Sequence, residues 1–409
     1  MVKPDSYQRA VRFIIETMVQ RRINNVDVLI NPYSANEIYF NSKFLEKNGS
    51  LVKSMSPSQL CGLISGCSYT PMLLTWELLD RCNFYCPFCY IVGHSHNEQV
   101  RFENIKSKIQ ELIDLGLLYC TLTGGEILLH KDFKEIYSFL KLSGVLVALY
   151  SNGYLIDNEI INLFKQLPPY KIEISIYGVD QKNFDKVTGT KGRDYQKVLD
   201  NILKLRDLGI KVKCKTPFNS ITEDGFSKIG DWCNLNGIDY YYSTTIFQAY
   251  DGKNLNHFQS NFSSMISCEA NKIQITDKSY PEIFDCEKQN TIKKCYTCGI
   301  KNYGLHINSN FELLPCQRTQ IKECNYRIVD LGIKKSINLN RQFVNTYINK
   351  PIRGCTGCEA SNTCKMCPAI AVPVYNNGNQ IEAFSVPLGY CDFERKRYYG
   401  LINELSKLK

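Results

Sequence analysis

The chain has 409 residues, 44% of them hydrophobic and 22% charged, with a formal net charge of +9. That length carries a sizeable core and two or three domains, and the composition is ordinary for a globular chain. No apolar run is long enough to cross a membrane, and the opening MVKPDSYQRAVRF lacks the apolar stretch of a secretory signal, so the expected compartment is the cytosol and no membrane partner is expected.

The cysteine content is the unusual feature. There are 19, an odd number, mostly in short-spaced groups. In a cytosolic chain such groups favour metal ligation over disulfides. The positive charge is a weak pointer to an anionic partner. Metal-bound thiolates, counted as neutral in that sum, offset much of it, and nucleic-acid binding is not expected.

Along the chain, residues 1–70 read as an extension with a helix over Ser6 to Arg22 and a strand pair, VDVLI and EIYF, around the turn NPYSAN. A further helix is expected near PSQLCGLI. This region is expected to be structural or a docking element for a peptide. Residues 71–245 alternate strand and helix: MLLTWEL, a cysteine loop, ENIKSKIQELIDLG, LYCTLT, KDFKEIYSFLKLSG, VLVALY, IDNEIINLFKQL, KIEISIY, DYQKVLDNILKLRDLG, IKVKCKT, EDGFSKIGDWCNLNG and IDYYYST. That order predicts a parallel sheet with right-handed crossovers. Six strands are too few for an eight-fold barrel, so the expected fold is α/β, a partial (β/α)6 TIM-like barrel with its chemistry at the C-terminal strand ends. Residues 246–294 read as a polar connection. Residues 295–395 read as a small cysteine-rich, loop-rich domain with a hairpin at GLHINSNFELLPC, and residues 396–409 as a terminal helix, beginning near Phe393.

The first cysteine group, Cys82-Asn-Phe-Tyr-Cys86-Pro-Phe-Cys89-Tyr90, follows the first strand of the series. Three thiolates hold three irons of a 4Fe–4S cubane and leave the fourth iron open. The competing reading is zinc, with His94 or His96 as fourth ligand. The segment resembles the signature of the radical S-adenosylmethionine (SAM) enzymes, Cys-x3-Cys-x2-Cys with an aromatic before the last cysteine, here Phe88. The resemblance implies that SAM chelates the open iron through its amino and carboxylate groups, that one electron cleaves it to a 5′-deoxyadenosyl radical, and that the backbone around Phe88 meets the adenine. It also implies an electron donor such as flavodoxin or ferredoxin.

Three further segments match that family in order. Thr123-Gly124-Gly125-Glu126 ends the second strand, where the family binds the methionine amino group. Ser151-Asn152-Gly153 ends the third, resembling the family's Thr-Asn-Gly. Ser175 ends the fourth, where the family often sets a serine against the ribose. The family's proline after the glutamate is Ile127 here. Its carboxylate-binding arginine has Arg193 as the nearest candidate.

Downstream run Cys295, Cys298, Cys316, Cys355, Cys358, Cys364, Cys367 and Cys391, eight thiols for two four-cysteine clusters or, on spacing alone, for two zinc sites. Taken with the first group they resemble the SPASM domain of radical SAM enzymes, which implies two auxiliary 4Fe–4S clusters. The resemblance assigns Cys295, Cys298, Cys316 and Cys367 to one, with Cys286 as an alternative first ligand, and Cys355, Cys358, Cys364 and Cys391 to the other. The chain departs from the pattern in the x2 between Cys364 and Cys367 and in Phe311, which stands where a glycine is usual, five residues before Cys316. Most remaining cysteines read as small buried hydrophobes. Cys214, near the end of the fifth strand, is a candidate hydrogen-atom donor.

SPASM enzymes largely modify ribosomally made peptides or proteins, which implies a peptide substrate here and oxidative cross-linking, as a thioether or carbon–carbon bond. Other readings are a peptide epimerase, a radical enzyme on a small molecule, and a non-catalytic zinc or iron–sulfur protein. The formylglycine-forming subgroup carries an aspartate base after the ligand matching Cys316. Gln317 stands there and takes no proton at neutral pH.

Overall fold

The computed structural model describes residues 18–35, 37–41, 44, 55–66, 69–91, 99–244, 246, 249–250, 253, 255–276, 299–319, 324–347, 350, 352–353, 355, 358–360, 364, 369, 372–376, 381–386 and 390–407. Its centre is a nine-stranded sheet. Six strands come in chain order and pair in parallel: β4 (Leu73–Glu77), β5 (Tyr119–Thr123), β6 (Leu146–Ser151), β7 (Lys171–Ser175), β8 (Val212–Pro217) and β9 (Asp239–Ser243). Period-two alternation gives this sheet two different faces. Leu74, Trp76, Cys120, Leu122, Val147, Leu149, Ile172, Ile174 and Cys214 are buried in the main hydrophobic cluster.

Helices return the chain between strands. α2 (Phe102–Asp114), α3 (Phe133–Leu142), α4 (Asn158–Gln166), α6 (Gln196–Asp207) and α7 (Phe226–Leu235) bury one apolar stripe each in that cluster, as their 3.6-residue periodicity requires. Asp157 caps α4 by accepting from the Ile160 N–H at 2.9 Å. A short helix the sequence reading did not contain, α5 (Gln181–Thr188), is capped in the same way by Asp180.

The sheet does not stop at six strands. β10 (Gly304–Ile307) lies parallel to β4, outside the expected core, and β11 (Glu312–Leu314) returns antiparallel to it as the expected hairpin. The turn between them forces Phe311 to φ 57°. A left-handed backbone costs a side-chain-bearing residue about 1–2 kcal/mol, which explains why glycine suits this position. Burial of the Phe311 ring, 5.9 Å from Trp76, offsets that cost.

Residues 6–17 lie outside the described residues, but β1 (Val19–Ile23) is a strand where the tail of a helix was expected, and it pairs with β2 (Val26–Ile30). The Asn24–Asn25 turn, with φ 48° and 64°, is the two-residue hairpin turn that makes this pairing. β3 (Ile38–Phe40) completes the three-stranded sheet, and α1 (Pro57–Ser65), closed by a Ser56–Gln59 capping box, packs beside it. The module covers the N-terminal strand ends: its cluster includes Met72, Leu118, Tyr119 and Leu146. The Arg21 guanidinium donates to the carbonyls of Ile113, Leu117 and Gly144, and burial lowers its pKa to about 10.

The connection at 246–294 is not all loop. It holds α8 (Phe262–Thr276), whose Met265, Ile266 and Ala270 pack on Leu401 and Leu405 of the terminal helix. That terminal helix begins at Tyr390, not Phe393. Glu269 and Arg397 join the two in a buried ion pair at 2.7 Å.

Candidate active site

Beyond β4 the chain forms the loop that carries Cys82, Cys86 and Cys89. Backbone bonds hold it against the end of β5: Gly125 N–H donates to Leu79 O at 2.8 Å and Glu126 N–H to Arg81 O at 3.0 Å. A Cβ on Gly124 would stand 2.2 Å from Leu79 O, and one on Gly125 would stand 2.2 Å from Arg81 O. The two glycines are thus required by the close approach of the protein's own backbone.

The three cysteines line one cavity of about 480 Å³, a size suited to a ligand of a few hundred daltons. Around its wall stand the strand ends: Thr123, Gly124 and Gly125 from β5, Ser151 and Asn152 from β6, Ser175 and Tyr177 from β7, Lys215 and Pro217 from β8, and Ser243 from β9. Phe88 lines it too, edge-on to Tyr177 and Phe258. Burial pushes the Cys82 thiol up to about 12 and the Cys86 and Cys89 thiols upward, each further raised by neighbouring charge, Glu126 and the sister thiols among it. Such thiols ionise only against strong positive charge, as bound iron provides. Among the described residues no three His, Cys, Asp or Glu side chains gather around a single-ion position. Soft sulfur donors at one end of a ligand-sized cavity fit a cluster shared with a small molecule.

Glu126 does not face this cavity. It is fully buried, and its carboxylate accepts from Ser151 Oγ at 2.8 Å, Asn152 N–H at 2.7 Å and Leu128 N–H at 3.2 Å. Burial raises its pKa to about 7 against these hydrogen bonds. Asn152 in turn donates through Nδ2 to Asn83 Oδ1 at 2.7 Å and reaches Cys82 Sγ at 3.7 Å. Glu126 therefore sets Asn152, and Asn152 sets the first cysteine.

Two sequence candidates fall elsewhere. The Arg193 guanidinium lies over the rings of Tyr154 and Phe84, 5.3 and 5.8 Å from their centroids, and does not line the cavity. Cys214 is fully buried in the hydrophobic cluster, on the face of β8 opposite Lys215, as a free thiol hydrogen-bonded with the free Cys233 thiol. A hydrogen-donor role finds no support in that placement.

Sequence reasoning missed the charged wall of β7 and β8. Glu173 is buried and pairs with both Lys171 and Lys215. Burial pushes its pKa up, but the two ammonium groups outweigh that and hold it below the usual range. The Lys215 ammonium also sits 4.1 Å over the Tyr150 ring. The available signal was period two itself: Lys171, Glu173 and Ser175, with Lys213 and Lys215, share one face of strands whose other face is apolar.

A second missed group closes the cavity near Cys89. Glu77, at the end of β4, accepts from Tyr250 Oη at 2.7 Å and from Gln317 Nε2 at 2.8 Å, with His306 Nε2 at 3.6 Å. Gln317 Nε2 also donates to Tyr90 Oη at 2.7 Å. Burial pushes the Glu77 carboxyl up, yet His306, Tyr250 and Gln317 together hold it below the ordinary range.

Of the downstream cysteines, Cys286, Cys295, Cys298 and Cys367 lie outside the described residues. Cys316 follows β11 and bonds with Thr319 at 3.2 Å. Cys355 and Cys364 share a small apolar cluster. Burial and then the Cys358 thiol raise the Cys391 pKa, with Cys364 adding to it, so these three thiols are neighbours. Cys61, Cys120, Cys233 and Cys324 are buried in apolar clusters, as expected of small hydrophobes.

Residues 76–223 match the model of the radical SAM superfamily. Two relatives come from Bacillus subtilis (strain 168). The sporulation killing factor maturation protein SkfB is 26% identical over 252 residues, 61% of each chain. The antilisterial bacteriocin subtilosin biosynthesis protein AlbA is 34% identical over 156 residues, 36% of this chain and 34% of that one. The chain thus spans less than two thirds of the length of either relative. The crystal structure of Streptococcus suis SuiB bound to S-adenosylmethionine shares the fold, with a TM-score of 0.56 at 13% identity over 87% of this chain and 93% of that one.

Proposed function

Because residues 76–223 match the model of the radical SAM superfamily, we propose that this chain is an oxidoreductase that cleaves SAM reductively and modifies a ribosomally made peptide, by oxidative cross-linking. The observation that carries this reading is the convergence of Cys82, Cys86 and Cys89 on one ligand-sized cavity at the C-terminal strand ends.

Cys82, Cys86 and Cys89 would hold the cluster. Bound there, a 4Fe–4S cluster with one open iron would supply the one-electron chemistry that cleaves the sulfonium of SAM. The chain's own residues do the rest. Glu126 fixes Asn152 beside Cys82. Phe88, Tyr150 and Tyr177 wall the cavity with apolar rings that exclude water from a reactive species. Ser175 and Lys215 offer a hydroxyl and an ammonium to the polar parts of SAM. Cys355, Cys358, Cys364 and Cys391 would hold one auxiliary cluster, and Cys316 with Cys295, Cys298 and Cys367 the other. Flavodoxin or ferredoxin would supply the electron.

The maturation and biosynthesis roles in the names of SkfB and AlbA support a peptide substrate. An epimerase needs a hydrogen donor at the radical. Among the described residues, no cysteine other than Cys82, Cys86 and Cys89 lines the cavity. Gln317 lines it without a proton-accepting group, which also speaks against formylglycine formation. The amino-terminal sheet sits at the opposite strand ends, about 17 Å away for five-residue strands, so a peptide docked there reaches the cavity only with a spacer of several residues.

The test is to co-express the chain under low oxygen with any short peptide encoded beside its gene and to weigh the peptide. Loss of two hydrogens with the intact chain, and not with the Cys82, Cys86 and Cys89 triple alanine variant, is the expected result. An unchanged mass without deuterium uptake from heavy water, while 5′-deoxyadenosine still forms, would move the substrate to a small molecule.

A further inference from the structure

Gln317 follows Cys316, and Tyr90 follows Cys89, so the contact between their side chains joins the two cysteine segments. Both side chains line the cavity. The carboxamide orientation is fixed, because Nε2 stands between two oxygens, Glu77 Oε1 at 2.8 Å and Tyr90 Oη at 2.7 Å. With both N–H bonds spent, the remaining polar atom of the side chain is Oε1. No hydrogen bond to it is formed among the described residues, and it is not among their buried unpartnered atoms. Glu77 itself is 3% exposed and takes a further hydrogen bond from Tyr250.

We propose that Gln317 is a positioning residue for the peptide substrate: its side-chain oxygen accepts an N–H or O–H of the peptide and holds the reacting segment beside Tyr90. This rests on the peptide reading given above. It also accounts for an amide at this position. An acid here would set a second carboxylate within hydrogen-bond reach of Glu77, and two like charges that close cannot both stay ionised in a buried site. An acceptor at this wall has to be neutral. The buried acid behind it supplies the anchor, and the amide supplies the face presented to the peptide.

The consequence is a separation of two functions. SAM cleavage depends on the cysteine loop and the strand ends. Delivery of the radical to the correct peptide atom depends on Gln317, because a peptide held loosely lets the radical be quenched elsewhere.

The experiment uses the full chain, anaerobically reconstituted with iron and sulfide, with SAM, dithionite and any short peptide encoded beside its gene. Gln317→Met keeps the length of the side chain and removes its hydrogen bonds. The yield of modified peptide per 5′-deoxyadenosine is expected to fall at least tenfold, with KM for the peptide raised. The double variant Glu77→Gln with Gln317→Glu exchanges acid and amide, restores an N–H to oxygen link and keeps an oxygen toward the cavity. It is expected to recover at least threefold of that loss. A Gln317→Met enzyme with the wild-type yield per 5′-deoxyadenosine, or one whose modified peptide falls only in proportion to its iron and its 5′-deoxyadenosine, overturns the proposal. A wild-type enzyme that makes 5′-deoxyadenosine and modifies no peptide overturns the peptide reading and this inference together.

Discussion

Glu126 accepts the backbone N–H of Asn152 at 2.7 Å, which clamps the end of one parallel strand to the end of the next. The carboxylate is fully buried, and burial raises its pKa from 4.5 to about 7. A carboxyl with a raised folded pKa stabilises the fold fully below its unfolded pKa and loses that contribution as pH climbs through the folded one. The cluster-free chain should therefore lose on the order of 3 kcal/mol between pH 4.5 and 7 from this group. Urea unfolding at pH 5 and pH 7.5 measures it. The difference between the two should shrink in Glu126→Gln, and an unchanged difference would count against the assignment.

Gly125 stands where a methyl group would strike Arg81 O. Gly125→Ala should push the cysteine loop off β5. We expect 5′-deoxyadenosine formation to drop at least a hundredfold and about four irons per chain to be lost, read by iron analysis and chromatography. Normal iron with normal cleavage would show that the loop tolerates the shift.

Lys215 lines the cavity, whereas Arg193 stacks on Tyr154 and Phe84 outside it. Lys215→Met should raise KM for SAM about tenfold, while Arg193→Ala should leave it within twofold. The reverse ranking in steady-state kinetics would return the carboxylate-binding role to Arg193.

Arg21 holds the amino-terminal sheet to three carbonyl groups at the foot of the main sheet. Charged hydrogen bonds of this kind contribute about 1.5–3 kcal/mol each. Arg21→Ala should destabilise the chain by about 2–4 kcal/mol and open the amino-terminal module to limited proteolysis. SAM cleavage in the folded fraction should stay at the wild-type rate, because the cavity is at the other strand ends.

Cys358 and Cys391 are neighbours in the carboxy-terminal region. Replacing both with alanine should remove about four irons per chain and leave three-cysteine chemistry in the core intact. Full iron content in that variant would remove Cys358 and Cys391 from the ligand set.

The sequence by itself determined the repeating strand–helix part of this protein. Strand and helix periods are local properties, so β4 to β9 and every crossover helix but the short α5 were legible from 71 to 245, and the Cys82–Cys86–Cys89 spacing needs no fold to be read. What tertiary structure decided was which face of each strand meets the cavity and which distant segments close it. Cys214 and Lys215 are adjacent in sequence, yet one lies in the apolar cluster and the other on the cavity wall, because neighbouring residues in a strand point opposite ways. β10 joins the core sheet from beyond residue 300, and with it come His306 and Gln317, the latter 240 positions from the Glu77 it contacts. No local pattern encodes such a pairing. It exists because a buried carboxylate must find donors, and the fold brings them from wherever the chain has them.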